Sequence, residues 1–261
     1  MVYNFNPEKV RDEIVAGIRK FAKKDNFSKV VIGISGGKDS TVTAALCVRA
    51  LGKENVYGVM LPDGIQSDLH DSETVCKVLQ IPHATVNIKA MHDAMHLGIE
   101  LTGVFRFDER GREAVAFNKE ADINVAPRLR MTVLRYFTQA LNARLAGTGN
   151  LSESITGYCT KDGDTSCDFS VLGGLTSVEV VQVGLTMPEL PKELVLKTPT
   201  DGLSGKSDEE RLDVSYEEIH HYIRCDTEIS EESRRKIKKL MESSAHKRRM
   251  PYCIEISYFS R

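Results

Sequence analysis

Glycine, hydroxyl and carboxylate side chains crowd the stretch Ser35-Gly-Gly-Lys-Asp-Ser40-Thr41, directly after the apolar run Val30 to Ile34. A turn of this composition between a strand and a helix can wrap an anion. Gly36 and Gly37 permit close backbone approach and positive φ, amide groups at a helix start attract phosphate, and Ser35, Ser40 and Thr41 add hydroxyl donors. It is not a Walker A loop, because Gly33 stands one residue too late and Asp39 follows Lys38 where a hydroxyl is required. Asp39 changes the chemistry. A carboxylate beside a phosphate cradle repels the ligand unless a divalent cation lies between them, and Mg²⁺ bridges carboxylate and phosphate oxygens in this way. A plain strand-to-helix turn requires neither three hydroxyls nor an acid.

A second turn of the same kind, Gly147-Thr-Gly-Asn-Leu-Ser-Glu153, follows the short apolar run that starts at Leu145. Thr148 offers a hydroxyl there, and Glu153 can either join Asp39 on a metal or cap a helix. Arg128 and Arg130 carry the charge to meet phosphates, although paired arginines on a helix also make ordinary solvated faces. Lys161, Asp164 and Asp168 stand in a tight acidic loop and are turn formers if no ligand reaches them. His246 and Lys247 close a helical pattern, where cations favour the dipole.

Positioning these residues requires a scaffold that brings two turns together. Strands are expected at Val30–Ile34, Asn55–Leu61, Ala84–Ile88 and Leu145–Thr148, from apolar runs bounded by turn residues. Helical spacing appears in Val10, Ile14, Ile18 and Phe21 after Asn6-Pro7, and in Val42, Ala45, Leu46 and Leu51 after the first loop. Further helices are expected over about 68–79 and 89–101, from Pro127 through Met131, Leu134 and Leu141, and over 177–184 and 212–223. The last begins at Ser230 as N-cap, with Glu231 and Glu232 in its first turn, and runs to about His246. Residues 103–122 read as a charged surface excursion and 199–213 as a mobile loop. The β-α alternation predicts an α/β fold with a doubly wound parallel sheet, whose ligands gather at the carboxyl ends of the strands. Two glycine turns at one sheet edge then form one site.

Composition narrows the partners. With 35 basic and 37 acidic residues the net charge is −2, which leaves no overall field for nucleic acid or an anionic membrane. At 41% hydrophobic content, 261 residues can bury one sizeable core, so a single domain over 1–261 is expected. The six cysteines lack CxxC spacing, and Cys47 and Cys76 fall in helical patterns, which argues against a cysteine zinc cage or a disulfide framework. Thiols of this kind suit a reducing compartment. The start has no basic leader before a long apolar run, and no stretch approaches the roughly 20 apolar residues of a bilayer span; a cytoplasmic location is expected.

The first loop resembles the pyrophosphate-binding loop of the ATP pyrophosphatase superfamily. Over nearly the whole chain the resemblance narrows to ammonia-dependent NAD synthetase, carried by Gly33-Ile-Ser-Gly-Gly-Lys-Asp-Ser40, Leu61-Pro-Asp-Gly-Ile-Gln66, Arg128-Leu-Arg-Met131, Gly147 to Glu153, Thr156-Gly-Tyr-Cys-Thr-Lys161, Lys197-Thr-Pro-Thr-Asp-Gly202, Tyr216-Glu-Glu-Ile219 and His246-Lys-Arg248. That resemblance implies a Rossmann-like fold of the adenine nucleotide alpha hydrolase type. It also implies a ligase that adenylates deamido-NAD with ATP and amidates it with ammonia, giving NAD, AMP and pyrophosphate. By similarity, Gly33, Ile34, Ser35, Gly36, Gly37, Lys38, Asp39, Ser40, Thr148 and Thr200 bind ATP, and Asp39 and Glu153 bind Mg²⁺. Arg128, Tyr136, Lys161, Asp168, His246 and Lys247 bind deamido-NAD, with Asp39, Lys161 and Asp168 in the catalytic roles. A homodimer is implied, for which the aromatic segment Tyr3-Asn-Phe5 offers a surface. The rival functions are another pyrophosphatase of the superfamily, such as a tRNA-modifying enzyme, and a nucleotide-binding relative with weak activity.

Overall fold

The computed structural model describes residues 3–66, 69–102, 119–197, 207–224 and 229–254. Helix α1 (Pro7–Lys24) starts where the sequence places it: Asn6 accepts from Lys9 N, and Pro7 fills the first helical position, where no amide is needed. Strand β1 (Val30–Gly33) then leads into α2 (Lys38–Leu51), and β2 (Val56–Met60) into α3 (Leu69–Leu79). Next come β3 (His83–Thr85), α4 (Lys89–Thr102), α5 (Lys119–Ile123) and α6 (Val125–Ala140). Strand β4 (Arg144–Gly147) precedes α7 (Leu151–Thr156), and β5 (Phe169–Ser170) precedes α8 (Ser177–Leu185) and α9 (Lys192–Val195). After these come α10 (Asp208–Leu212), α11 (Tyr216–Ile223) and α12 (Glu231–Ser243).

All sheet pairings are parallel, in the order β3-β2-β1-β4-β5. Alternation along the strands sends Val30 and Ile32 to one face with α1, α2 and α8, and Val31 to the other, beneath α6. The same division places Met60 with the first layer and Val59 with the second. Because the chain proceeds outward from β1 to β3 and then returns to the other side of β1, the winding direction reverses between β1 and β4. Crevices open at such a reversal, at the carboxyl ends of the strands. The loops after β1 and β4 both lie there.

Several boundaries depart from the sequence reading. The third strand spans His83–Thr85 rather than reaching Ile88, although Val86 N and Ile88 N still donate to Met60 O and Pro62 O; the Asn87 side chain accepts from Gly64 N and Lys89 N. The helix expected over 212–223 is broken at Asp213, which is left-handed at φ 55°; Ser215 then caps a new helix with Glu218. Within the expected surface excursion residues 119–123 are helical, and within the expected mobile loop Ser207 and Glu210 form the capping box of α10. The final helix ends at Ser243, and 245–248 form a separate 3₁₀ turn. Strand β5 and helix α9 have no counterpart in the sequence reading; two and four residues are too few for a period to show.

Candidate functional site

A pocket of about 400 Å³ occupies the crevice between β1 and β4. Its walls come from Ser35, Gly37, Lys38 and Asp39 of the first loop and from Thr148 and Glu153 of the second. Internal hydrogen bonds hold the first loop's shape. Ser40 Oγ and Thr41 Oγ1 donate to Gly37 O, and Ser35 N donates to Ser40 Oγ. The Thr41 hydroxyl, expected from sequence as a ligand donor, is therefore spent on the helix start and is fully buried. Gly36 has φ 77°, and a Cβ there would stand 2.8 Å from Asp71 Cβ and 2.9 Å from Ser72 N. Its glycine requirement comes from the start of α3 rather than from the pocket.

Asn150, absent from the sequence reading, joins the two loops. Its Nδ2 donates 3.0 Å to Asp39 Oδ1, its Oδ1 accepts from Glu153 N, and its own amide donates 2.9 Å to Glu153 Oε2. Glu153 thus fills the capping role that the sequence left open, while still facing the pocket. Lys38 is only 4% exposed; its ammonium lies 2.8 Å from Asp39 Oδ2 and 5.3 Å from the centre of the Tyr216 ring. Burial and then the neighbouring Asp39 carboxylate push the Glu153 pKa well above the usual range. Two carboxylates beside a row of helix-start amides, one of them buried and facing the other's charge, suit a small hard cation, whose charge relieves that repulsion.

The sequence matches the NAD synthase family over residues 10–251. The chain belongs to the NAD synthase family. Among its relatives, the NH₃-dependent NAD⁺ synthetase of Methanocaldococcus jannaschii is 34% identical over a 271-residue alignment covering 98% of this chain and all of that protein. That of Archaeoglobus fulgidus is also 34% identical, covering 94% and 96%. Among solved structures, NMN synthetase from Francisella tularensis superposes with a TM-score of 0.86 at 26% identity, covering 97% and 100%. The NH₃-dependent NAD synthetase of Campylobacter jejuni, in complex with the nitrate ion, gives 0.77 at 26% identity, covering 96% and 100%. The chain is accordingly an ammonia-dependent NAD synthase, and the rival reading as a tRNA-modifying enzyme is not favoured.

In this NAD synthase the residues expected on ATP gather in the pocket, with the exception of Gly36, which does not line it, and Thr200, which lies outside the described residues. The residues expected on the dinucleotide do not. Arg128 Nε donates to Lys161 O, 3.3 Å, and Tyr136 stands 72% exposed on α6. Lys247 Nζ donates to Gly157 O and Cys159 O just past α7, and His246 Nδ1 lies 3.2 Å from Ser243 O. Asp168 receives Arg135 on one oxygen and Leu145 N on the other. Sequence reasoning also passed over Asp208 and Lys197, which line the pocket. Lys197 opens a string shared with the family, which is a signal in the sequence; nothing in the spacing singles out Asp208. Arg130, weighed beside Arg128, is the one of the pair that lines the pocket, and its Nε donates to Leu61 O.

Proposed function

We propose that this pocket activates the nicotinate carboxylate of deamido-NAD by adenylation with ATP, after which ammonia displaces AMP. A carboxylate resists ammonia until one of its oxygens belongs to a good leaving group, and adenylation provides one. The observation that carries the reading is the shared crevice, in which Asp39 of the helix-start phosphate cradle and Glu153 of the second loop line one pocket and are joined through Asn150. When bound by Asp39 and Glu153, Mg²⁺ supplies positive charge against the departing pyrophosphate. The amides of Ser35 to Ser40 hold the phosphates, and Thr148 and Thr200 contact ATP. Lys161 offsets charge at the acyl adenylate. Asp168 orients ammonia, which requires its pair with Arg135 to open.

The whole 261-residue chain acts in this reading as one synthetase domain and forms a homodimer in the cytoplasm. Arg128, Tyr136, His246 and Lys247 then complete the dinucleotide site at the dimer interface, which accounts for their position outside the pocket of one chain. Support for the interface comes from α6 and the adjacent α4, where Tyr136, Met91 and Leu97 are exposed. The N-terminal segment gives less support than its sequence suggested, since Tyr3 Oη donates to Glu179 and Phe5 packs on the core of its own chain. Light scattering at micromolar concentration should return twice the chain mass; a fully active monomer would contradict the shared interface. For the cytoplasm, Cys47, Cys76, Cys159, Cys167 and Cys253 are free thiols, and no described helix is long and apolar enough to cross a membrane.

The superposition on a protein named an NMN synthetase favours one second reading, with nicotinic acid mononucleotide as the acid. Amidation of each acid by ATP, Mg²⁺ and ammonium, followed side by side, decides between them. Deamido-NAD should give the higher kcat/KM, and glutamine should not replace ammonium. A preference for the mononucleotide would transfer the assignment to the second reading, and turnover of neither would refute both.

A further inference from the structure

Apart from the phosphate pocket, α4 presents His92 and His96 one turn apart on the same face, opposite Asp122 of α5. Their Nε2 atoms approach one carboxylate oxygen, Asp122 Oδ1, to 3.3 and 2.6 Å respectively. Two imidazoles crowding one oxygen need either protons or a cation among them. The other nitrogen of His92, Nδ1, lies 2.7 Å from Asp63 Oδ2. A carboxylate there holds the proton on Nδ1 and turns Nε2 outward as a lone-pair donor, the arrangement by which outer carboxylates orient metal-binding histidines. The Asp63 side chain is only 9% exposed, and its second oxygen, Oδ1, is buried without a hydrogen-bond partner. An isolated buried carboxylate oxygen is costly, and that cost falls when the imidazole it faces carries positive charge from a bound cation.

We propose that His92 Nε2, His96 Nε2 and Asp122 Oδ1 bind one divalent transition metal of the zinc class, with Asp63 as the partner that orients His92. One donor atom from each of the three residues lies within 4.8 Å of the other two, and the two Nε2 atoms lie 3.3 and 2.6 Å from Asp122 Oδ1, against about 3.3 Å between ligands around a tetrahedral zinc with bonds near 2 Å; sub-ångström to ångström side-chain movements close the gap. Two imidazoles select zinc or its neighbours over Mg²⁺, which prefers oxygen alone. Three protein donors leave the fourth position to water. The ion braces α4 against α5 and against the turn after β2, whose Leu61 and Pro62 line the phosphate pocket. The site is distinct from Asp39 and Glu153 and does not depend on which acid is amidated.

The test uses the full chain, stripped with chelator and kept in excess Mg²⁺ so that the phosphate pocket does not take the added metal. On titration with Zn²⁺ it should retain close to one equivalent through gel filtration, with a Tm that rises with zinc. Co²⁺ in place of zinc should give the visible spectrum of a tetrahedral nitrogen and oxygen site, without a thiolate charge-transfer band. His92→Gln with His96→Gln should lose that equivalent, and Asp63→Asn should weaken it roughly 10- to 100-fold. If the double variant does not fold, Asp122→Asn decides in its place. No retained zinc, undiminished zinc in these variants, or a thiolate band would overturn the assignment.

Discussion

Asp39→Asn should lower kcat for AMP release by about a thousandfold while leaving a folded protein. The substitution keeps an oxygen for Asn150 Nδ2 but removes the anionic ligand, so the transition state loses several kcal/mol of charge stabilisation. Capping is unaffected, since Gly37 and not Asp39 occupies the N-cap of α2. The structural cost falls on Lys38, whose buried ammonium loses its partner at 2.8 Å; Glu153 remains close enough to share that charge. A loss of roughly 1–3 kcal/mol in stability is therefore expected. Removal of the Asp39 charge also takes away the second influence that raises the Glu153 pKa, while the first, its burial, remains. Raising Mg²⁺ should restore only part of the rate. A kcat that falls no further than the folded fraction would return Asp39 to a structural role.

Glu179→Ala should cost about 3–5 kcal/mol, lowering the Tm by on the order of 10 °C. The Glu179 carboxylate is fully buried and collects Arg224 Nε at 2.7 Å, Arg224 Nη2 at 2.5 Å, Thr176 N at 2.8 Å and Tyr3 Oη at 2.5 Å. Its loss would leave the Arg224 guanidinium without its counterion and remove one of the two bonds of the α8 capping box, the one from Thr176 N, while Thr176 Oγ1 still accepts from residue 179 N. Burial pushes the Glu179 pKa up, but the bonds from Arg224, Tyr3 and Thr176 N outweigh it, and the net shift is downward. A carboxyl with a lowered folded pKa contributes its stability above the unfolded value of about 4.3, and loses it as pH falls through the folded one. The gap between wild type and variant should thus be constant at neutral pH and close in acid. Chemical melts at pH 7 and pH 3 measure both; equal stabilities at pH 7 would refute the assignment.

The two loops that line the pocket were legible because each interrupts an apolar run with glycine and hydroxyl residues, and such breaks are visible without a fold. What joins them was not. Asn150 reads as an ordinary turn residue, and only the placement of β4 beside β1 brings its amide to Asp39, 111 positions away. For the same reason the pair Arg135 and Asp168 is invisible to periodicity, although it determines what Asp168 is free to do. Tyr3 was only half legible: an aromatic near a terminus suggests exposed surface, and the ring is exposed, but its hydroxyl donates to Glu179, 176 positions away. The break at Asp213 depends on one left-handed residue, a conformation aspartate tolerates but does not announce.

If the acid is activated as an acyl adenylate in this pocket, one of its carboxylate oxygens must leave with AMP, and the fate of that oxygen is the most direct test. Deamido-NAD carrying ¹⁸O in its nicotinate carboxylate is turned over with ATP, Mg²⁺ and ammonium, and the products are analysed by mass spectrometry. Attack of that carboxylate on the α-phosphate, followed by displacement with ammonia, should deliver one ¹⁸O into the phosphate of AMP for each NAD formed, with pyrophosphate unlabelled. Label in inorganic phosphate accompanied by ADP, or AMP free of label, would contradict it.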